Sequence, residues 1–438
     1  MLQRMFRLRE NGTDVRTEVL AGITTFMAMA YIIAANPMIL AAAGMDKGAV
    51  TLATCLVSGL VTIAMGLWAN YPIALAPGLG INAFFAYSIC AGMGVPWQVG
   101  LGMFFVEGVI ILAFTLTRLR ETVINAIPFS LKCAISVGIG LFLMFIGFEN
   151  AGLLESHPAT FVTMAKVCRP EVWPRVALAA AVLVLTAVLL VRKVRGAILV
   201  GILAGTLLGL VPAFRAAGEA PTLLQASLAP TLFKLDILGA LKLKFAVLIF
   251  TLLFVDFFDT AGTVIGLSVK AGFLDGRGRI PRLGRILAAD SAGPIAGALA
   301  GTSTVTSYIE SAAGIEEGGR TGLTAVVTGS LFLLAMLAAP LVGLVPAAAV
   351  APALIIVGIM MMEPALRIDY ADYSEAVPAF ITIAAMPFTY SISNGIALGF
   401  LSYVLVKLFS GRGRGISPVM YVLGGLFLLF FLASPTFR

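Results

Sequence analysis

The chain has 438 residues, of which 60% are hydrophobic and only 12% are charged, and its mean hydropathy is +1.03. Soluble domains are about half apolar and about a quarter charged, so this composition excludes a soluble globular protein. At about 20 apolar residues for each crossing, the chain has room for on the order of 14 membrane-spanning helices. We therefore expect an all-α, polytopic membrane protein that lies in the lipid bilayer.

The net charge of +7 reflects 29 Lys and Arg residues against 22 Asp and Glu residues. Basic residues cluster near the start of the chain and in short hydrophilic gaps such as Arg192-Lys193-Val194-Arg195. Lys and Arg in short loops are typical of the cytoplasmic side of a membrane protein. The pattern predicts a multi-pass protein of the cell membrane with a cytoplasmic N-terminus, and it does not indicate a nucleic-acid partner.

Metal and redox chemistry find little support in the sequence. The four cysteines, Cys55, Cys90, Cys133 and Cys168, do not have the spacing of a metal site, and the only histidine is His157 in a polar loop. We expect no metal ion and no cofactor, and we read the cysteines as small packing residues.

Hydrophobic segments follow one another along the chain as a series of seven and a series of eight, separated by a more polar connection. The first series lies at 17–37, 49–69, 73–92, 98–117, 130–147, 174–192 and 195–213. The second lies at 238–267, 283–300, 303–317, 321–341, 343–362, 376–391, 393–409 and 417–435.

The polar connection divides the chain into residues 1–225 and 226–438, two halves of similar hydropathy. An odd number of crossings in the first half inserts the two halves upside down relative to each other, which is a common plan among transporters. Near the end, Arg412-Gly413-Arg414 disturbs the strict alternation of loop charge. A pair of half-length helices around Ser391–Gly395 would restore it.

The third segment of each half contains a stretch that disfavours a continuous helix. The first is Ala76-Pro77-Gly78-Leu79-Gly80-Ile81-Asn82, and the second is the β-branched run Gly301-Thr302-Ser303-Thr304-Val305-Thr306-Ser307-Tyr308. Proline and β-branched residues weaken a helix at such points. Open backbone at membrane depth is tolerated only where it is buried in protein or lines a cavity. The two stretches therefore predict short extended segments in spans 3 and 10, next to a binding site.

Four acidic residues interrupt the apolar segments of the second half, namely Asp256, Asp259, Asp290 and Glu310. Each costs about 2.5–3.5 kcal/mol on insertion, so each is a functional candidate by default. Asp256, Asp259, Thr260 and Thr263 have the spacing of one helical face, which predicts a polar cavity or a structural seam between helices.

Several residues have both a ligand reading and a structural one. Glu310 would accept ligand N–H groups or cap a restarted helix, and Asn82 would read a heterocycle edge or cap the equivalent helix in span 3. Gly80 would let the backbone approach a ligand, or it only forms the turn. Asp290 would relay protons or pair with nearby Ser and Thr residues, and Glu107 in span 4 has no assigned role.

Four motifs in order resemble those of the AzgA-like purine permeases, which belong to the nucleobase–ascorbate transporter superfamily. They are Arg16-Thr17-Glu18 onward to Asn36-Pro37, Ala76 to Ala83, Asp256 to Gly266, and Ser307-Tyr308-Ile309-Glu310-Ser311. The likeness covers nearly the whole chain. It implies 14 helices in two inverted seven-helix repeats, whereas the hydropathy of this sequence gives 15 segments.

The resemblance also implies a division into a core domain of spans 1–4 and 8–11 and a gate domain of spans 5–7 and 12–14. Asp256 and Glu310 match the family's acidic substrate ligands, Asn82 matches its polar ligand in span 3, and Asp259 matches a second carboxylate. The implied assembly is a homodimer through the gate domains.

These observations lead to the hypothesis of a secondary transporter that imports adenine, guanine or hypoxanthine by proton symport with alternating access. Asp259 and Asp256 are the candidates for the coupled proton, and sodium coupling stays open. The alternatives are a transporter of uracil, xanthine or an inorganic anion on the same fold, a purine sensor, and an intramembrane enzyme. An aspartyl protease needs two carboxyl groups from separate elements, whereas Asp256 and Asp259 share one helix, so we expect no enzyme.

Overall fold

The structure is a computed structural model in which residues 2–117, 128–157, 161–167, 169–170, 172–211, 214, 223–225, 227–273 and 280–433 are described. All fifteen predicted hydrophobic segments contain helix within these ranges. The predicted boundary between the halves, at 225 and 226, falls at a residue outside the described part, as does Cys168. The other three cysteines are buried and unbridged.

The elements of the first half alternate long helices with short interruptions. They are α1 (Leu2–Met5), α2 (Val15–Met29), α3 (Ile32–Ala41), α4 (Lys47–Trp68), β1 (Leu75–Pro77), α5 (Leu79–Ala83), a π-helical turn (Phe84–Gly92), α6 (Trp97–Thr117), α7 (Phe129–Asn150), β2 (Leu154–His157), β3 (Phe161–Met164), α8 (Trp173–Val191) and α9 (Ala197–Gly209).

The second half follows a similar order. Its elements are α10 (Ile237–Ala240), α11 (Ala246–Lys270), α12 (Leu283–Ala300), β4 (Val305–Ser307), α13 (Ser311–Glu316), α14 (Gly322–Ala335) with a 3₁₀ extension (Met336–Leu344), α15 (Ala347–Met360), α16 (Tyr373–Phe388), α17 (Ile392–Phe409) and α18 (Pro418–Ala433).

Membrane-crossing segments dominate the architecture. Within the described ranges, seven helical segments are both long and apolar enough to cross a bilayer. They are Val15–Ala41, Lys47–Trp68, Trp97–Leu116, Phe129–Asn150, Trp173–Val191, Gly322–Leu344 and Ala347–Arg367. Shorter apolar helices, such as Ala197–Gly209, accompany them. The expectation of a polytopic all-α membrane protein is confirmed.

The two predicted interruptions form one structural unit. β1 and β4 pair in antiparallel register, with Ala76 opposite Thr306, and each strand runs directly into a short helix. At the ends of the pair, the Gly78 amide donates to the Thr304 carbonyl at 3.2 Å and the Tyr308 amide to the Ala74 carbonyl at 2.9 Å. Pairing satisfies backbone groups that a broken helix would leave bare at membrane depth. The prediction of extended segments in spans 3 and 10 is confirmed.

A helix break also lies where the C-terminal charge pattern suggested one. α16 ends at Phe388 and α17 begins at Ile392, and the two helices pack against each other. The Ser391 hydroxyl caps α17 by accepting from the Asn394 amide at 3.3 Å. α16 has 16 residues, or about 24 Å at 1.5 Å per residue, which is shorter than the bilayer core.

Close helix packing joins the two halves of the chain. α4 and α14 approach each other at Gly66 and Gly322, where a Cβ on either glycine would collide with the backbone of the other. Beside this contact, the fully buried carboxylate of Glu18 on α2 reaches the start of α14. It accepts from the Arg320 amide at 2.8 Å and from the amide and hydroxyl of Thr324 at 3.1 and 2.7 Å. A carboxylate is stabilised there because the first amides of a helix lack partners within the helix.

Replacing Glu18 tests this contact. Glu18→Ala would leave four donors at the start of α14, the amides of Arg320, Thr321 and Thr324 and the Thr324 hydroxyl, without their acceptor, and each buried one would cost about 1–3 kcal/mol. We expect the variant to unfold at a clearly lower temperature than the wild type in detergent. Glu10→Ala, at an exposed residue of the same terminal region, is the matched control and should unfold like the wild type. Equal unfolding temperatures for the Glu18 variant and the wild type would contradict this reading.

Candidate substrate site

A cavity of about 100 Å³ lies where the paired strands run into their short helices. One side is formed by residues 78–81, which follow β1, and by residues 307–310, which begin at the last residue of β4. Tyr31 and one face of α11 complete this side. The opposite wall is apolar and comes from α7 and from the end of α15. The wall residues are Ile139, Leu143, Val357 and Met361. The cavity therefore has one polar side and one apolar side, which suits a flat, partly polar ligand.

Glu310 lines this cavity and occupies the N-cap position of α13, but its side chain does not cap that helix. Its Oε1 atom instead accepts from the Tyr31 hydroxyl at 2.7 Å. The capping alternative for the Glu310 carboxylate is thus not what the structure shows. The carboxylate lies in the cavity, where it can accept a hydrogen bond from a ligand.

The predicted polar face of α11 divides into two adjacent rows. Asp259 and Thr263, one turn apart, line the cavity. Asp256 and Thr260 form the neighbouring row and are buried in protein, outside the cavity lining. The Thr260 hydroxyl donates to Asp290 at 2.7 Å and lies 2.8 Å from the Thr306 hydroxyl. The polar face of α11 therefore lines the cavity with one row and binds neighbouring elements with the other.

Asn82 is fully buried and does not line the cavity. Its Nδ2 atom donates to Oδ1 of Asn36 at 2.6 Å, and Nδ2 of Asn36 donates to the hydroxyls of Thr54 and Thr302 at 2.8 and 2.9 Å. These contacts connect α5 to α3, α4 and the segment that leads into β4. Asn82 therefore holds together the elements around the cavity and does not itself contact the space for a ligand.

Gly80 does line the cavity, directly opposite α7. A Cβ at this position would lie 2.5 Å from the Ile139 Cγ2 atom. The missing side chain therefore keeps the space between α5 and the apolar wall open.

Asp290 anchors β4. Its Oδ1 atom accepts from the amide and the hydroxyl of Ser307 at 2.9 and 2.7 Å. Together with the Thr260 contact, these bonds fix the strand to α11 and α12. The sequence predicts that Asp290 either relays protons or pairs with nearby Ser and Thr residues, and the structure shows the pairing.

The site includes residues that sequence reasoning missed. Tyr31 lies within the first of the four motifs, and Tyr308, whose hydroxyl donates to the Pro77 carbonyl at 2.7 Å, lies within the last, but the sequence indicates no role for either. The four residues of the apolar wall carry no local signal, because Ile, Leu, Val and Met are common throughout this chain.

The ionisable groups that line the site are all acidic. Asp259 and Glu310 are its ionisable carboxyl groups, and the residues that line it in the described structure include neither Lys nor Arg. A site for an inorganic anion would need positive charge or a ring of aligned donors. The lining favours a ligand that donates hydrogen bonds.

Among solved structures, the fold is similar to the transmembrane domain of the cyanobacterial bicarbonate transporter BicA, with a TM-score of 0.68 and 17% sequence identity. The match covers 88% of this chain and 97% of that one. At this identity the likeness concerns the fold alone. The shared fold is that of a multi-pass, all-helical membrane protein.

The chain belongs to the permease family Xan_ur_permease, whose family model matches residues 16–398. It is 44% identical to the adenine permease AdeP of Escherichia coli, over 98% of this chain and 95% of that protein. It is 42% identical to the guanine/hypoxanthine permease PbuG of Bacillus subtilis, over 98% and 99% respectively. The predicted resemblance to purine permeases is confirmed, and the protein is a transporter, not an enzyme.

The anchoring role of Asp290 gives a test. Asp290→Asn would leave only an uncharged oxygen to accept from the two Ser307 donors and would place an amino group against the Thr260 hydroxyl, at a cost of roughly 1–3 kcal/mol. We expect a lower unfolding temperature in detergent for this variant. Ser291→Ala on the same helix, which loses only a bond to its own helix and one to Thr115, is the matched control and should stay near the wild type. Unchanged stability of Asp290→Asn would return the relay alternative to consideration.

Proposed function

We propose that this protein imports adenine, guanine or hypoxanthine through the described cavity by proton symport with alternating access. The observation that carries the proposal is the pair of carboxyl groups, Asp259 and Glu310, on the polar side of a cavity whose lining lacks basic residues. The names of the two relatives support a purine as the substrate.

Purine bases offer N–H donors on the ring and, for adenine and guanine, on an exocyclic amino group. Carboxylate oxygens accept such bonds, and a hydrogen bond to a charged group contributes about 1.5–3 kcal/mol. The Tyr31 hydroxyl engages Oε1 of Glu310, and we propose Oε2 as the atom that accepts from the purine. Asp259 would accept a second bond, and the face of the base would lie against the wall at Ile139 and Val357.

The predicted division into core and gate supports alternating access. The polar side of the cavity comes from spans 1, 3, 8 and 10, which are core spans, and the apolar wall comes from spans 5 and 12, which are gate spans. Movement of one domain against the other would open this boundary to either side of the membrane. The antiparallel pairing of β1 with β4 also supports two inverted repeats.

The structure gives the remaining predicted site residues different surroundings. Asp256 and Asn82 do not line the cavity, so we assign purine contacts to Glu310, Asp259 and Gly80 and retain Asp256 for its second predicted role, proton coupling. The homodimer, the cytoplasmic N-terminus and the choice of proton over sodium stay predictions.

Binding by two variants tests the site. We expect Glu310→Gln and Asp259→Asn each to weaken adenine or hypoxanthine binding at least about tenfold, because a charge-assisted hydrogen bond contributes 1.5 kcal/mol or more. Isothermal titration of the purified protein measures this. Glu363→Gln, at an exposed residue, is the control. Wild-type affinity in both site variants would refute the assignment.

Uptake separates the proposal from its rivals. Cells that lack their own purine uptake and express this protein should accumulate labelled purine, and a proton uncoupler should abolish the accumulation. Unlabelled adenine, guanine, hypoxanthine, xanthine, uracil and bicarbonate serve as competitors. Competition by uracil or bicarbonate alone would overturn the purine assignment, and saturable binding without any uptake would indicate a sensor.

Tyr31 should affect the orientation of Glu310. Tyr31→Phe removes the hydroxyl that donates to Oε1 of Glu310, so the carboxylate loses one constraint, with an expected loss of purine affinity of about three- to tenfold. Tyr308→Phe is a matched control, since Tyr308 also lines the cavity but its hydroxyl donates to the backbone carbonyl of Pro77. The expected result is a larger loss in Tyr31→Phe than in the control, and the reverse order would contradict it.

A further inference from the structure

Glu107 is a buried carboxyl group that the proposed purine site does not use. It lies in the middle of α6, is 0% exposed, and neither of its carboxyl oxygens has a hydrogen-bond partner in the described part of the chain. The cavity lining does not include it. Burying a carboxyl group under these conditions is costly, and proteins retain such a group mainly where it has a function.

Asp256 on α11 is a second buried carboxyl group outside the cavity lining. α6 packs against α11, and a negative charge on Asp256 would act on Glu107 across this contact. Asp256 is 1% exposed. Two carboxyl groups buried on packed helices repel each other when both are charged, so the pair as a whole favours holding at least one proton.

The other titratable groups on elements packed against α6 have different surroundings. Asp259 lies in the cavity, Asp290 holds β4, and the Asp236 carboxylate caps α10 by accepting from the Gly239 amide at 2.8 Å. Cys90 is buried in the π-helical turn, and Arg285 is exposed on the first turn of α12. Within the described ranges, no basic side chain forms a hydrogen bond with the Glu107 carboxyl group.

We propose that Glu107 and Asp256 together hold the transported proton, at a site separate from the purine cavity. This inference rests on the proposed proton symport. Asp256 lies one helical turn from Asp259, so α11 carries the proton site and the purine site on two adjacent rows. The proton binds to a carboxylate oxygen of the pair from the side of higher proton concentration, stays on that oxygen during the conformational change, and leaves from it to water on the other side.

The pairing separates two roles that sequence analysis combined in Asp256. If the proton site were in the purine cavity, any substitution there would affect binding and coupling together. A separate pair allows coupling to be lost while the purine still binds. Glu107 is the residue to change, because it belongs to the pair alone.

The test uses the full-length protein in proteoliposomes with labelled adenine and, separately, labelled hypoxanthine. Glu107→Gln keeps the size of the side chain but cannot gain or lose the proton. We expect purine binding within about twofold of the wild type, retained exchange of internal for external purine, and loss of at least about tenfold in accumulation driven by an inward proton gradient. Glu310→Gln is the contrasting variant, and it should lose binding and both kinds of transport.

Each other outcome is decisive. Gradient-driven accumulation by Glu107→Gln at the wild-type level overturns the pair as the proton site. Loss of purine binding in a folded Glu107→Gln also overturns it, because Glu107 would then shape the purine site. Replacing one member of a repelling pair by a neutral amide should not lower the unfolding temperature in detergent, so a marked decrease would show a structural role and contradict the proposal. If the wild-type protein exchanges purine but shows no accumulation in response to a proton gradient, the proposed symport itself is refuted.

Discussion

The antiparallel pairing of β1 with β4 is the constraint on which the rest of the structure depends. Each strand interrupts a span, and an interrupted span is stable at membrane depth only when its backbone groups find partners. The two interruptions provide those partners for each other, with Leu75 opposite Ser307 and Pro77 opposite Val305. Asp290 and Thr260 then fix β4 to its neighbouring helices. The ends of the strands therefore hold Gly80 and Glu310 on the same side of one cavity.

The polar groups around this pair fall into separate sets. Tyr31, Asp259, Thr263 and Glu310 face the cavity, whereas Asn36 and Asn82 form a buried network behind it. Glu107 on α6 and Asp256 on α11 form a third set, buried outside the cavity lining. Adjacent rows of α11 therefore have different surroundings. Asp259 and Thr263 line the cavity, Asp256 belongs to the third set, and Thr260 anchors β4.

Local sequence patterns were sufficient for the fold class, the position of the helix breaks and part of the site. Pro77 and the run of β-branched residues before Ser307 marked the strands, and the cost of acidic residues in apolar spans marked Asp259 and Glu310. The spacing of Asp256 and Asp259 could not show which of them faces the cavity, because both lie on one broad face and the choice depends on the neighbouring helices. The apolar wall at Ile139 and Val357 depends entirely on tertiary packing. The partner of Glu107 could not be deduced for the same reason, since it comes from a helix some 150 residues further along the chain.

The strand pair has a consequence for biosynthesis. Leu75 and its partner Ser307 are separated by 232 residues of sequence (307 − 75), so β1 enters the membrane long before β4 has been translated. During that interval the backbone groups of the first interruption must be covered by water in a transient cavity, by neighbouring helices or by the insertion machinery. The ligand cavity therefore comes into existence late in synthesis. A nascent chain that stops before the second half retains an unpaired strand edge, and such an edge is a template for pairing with another chain.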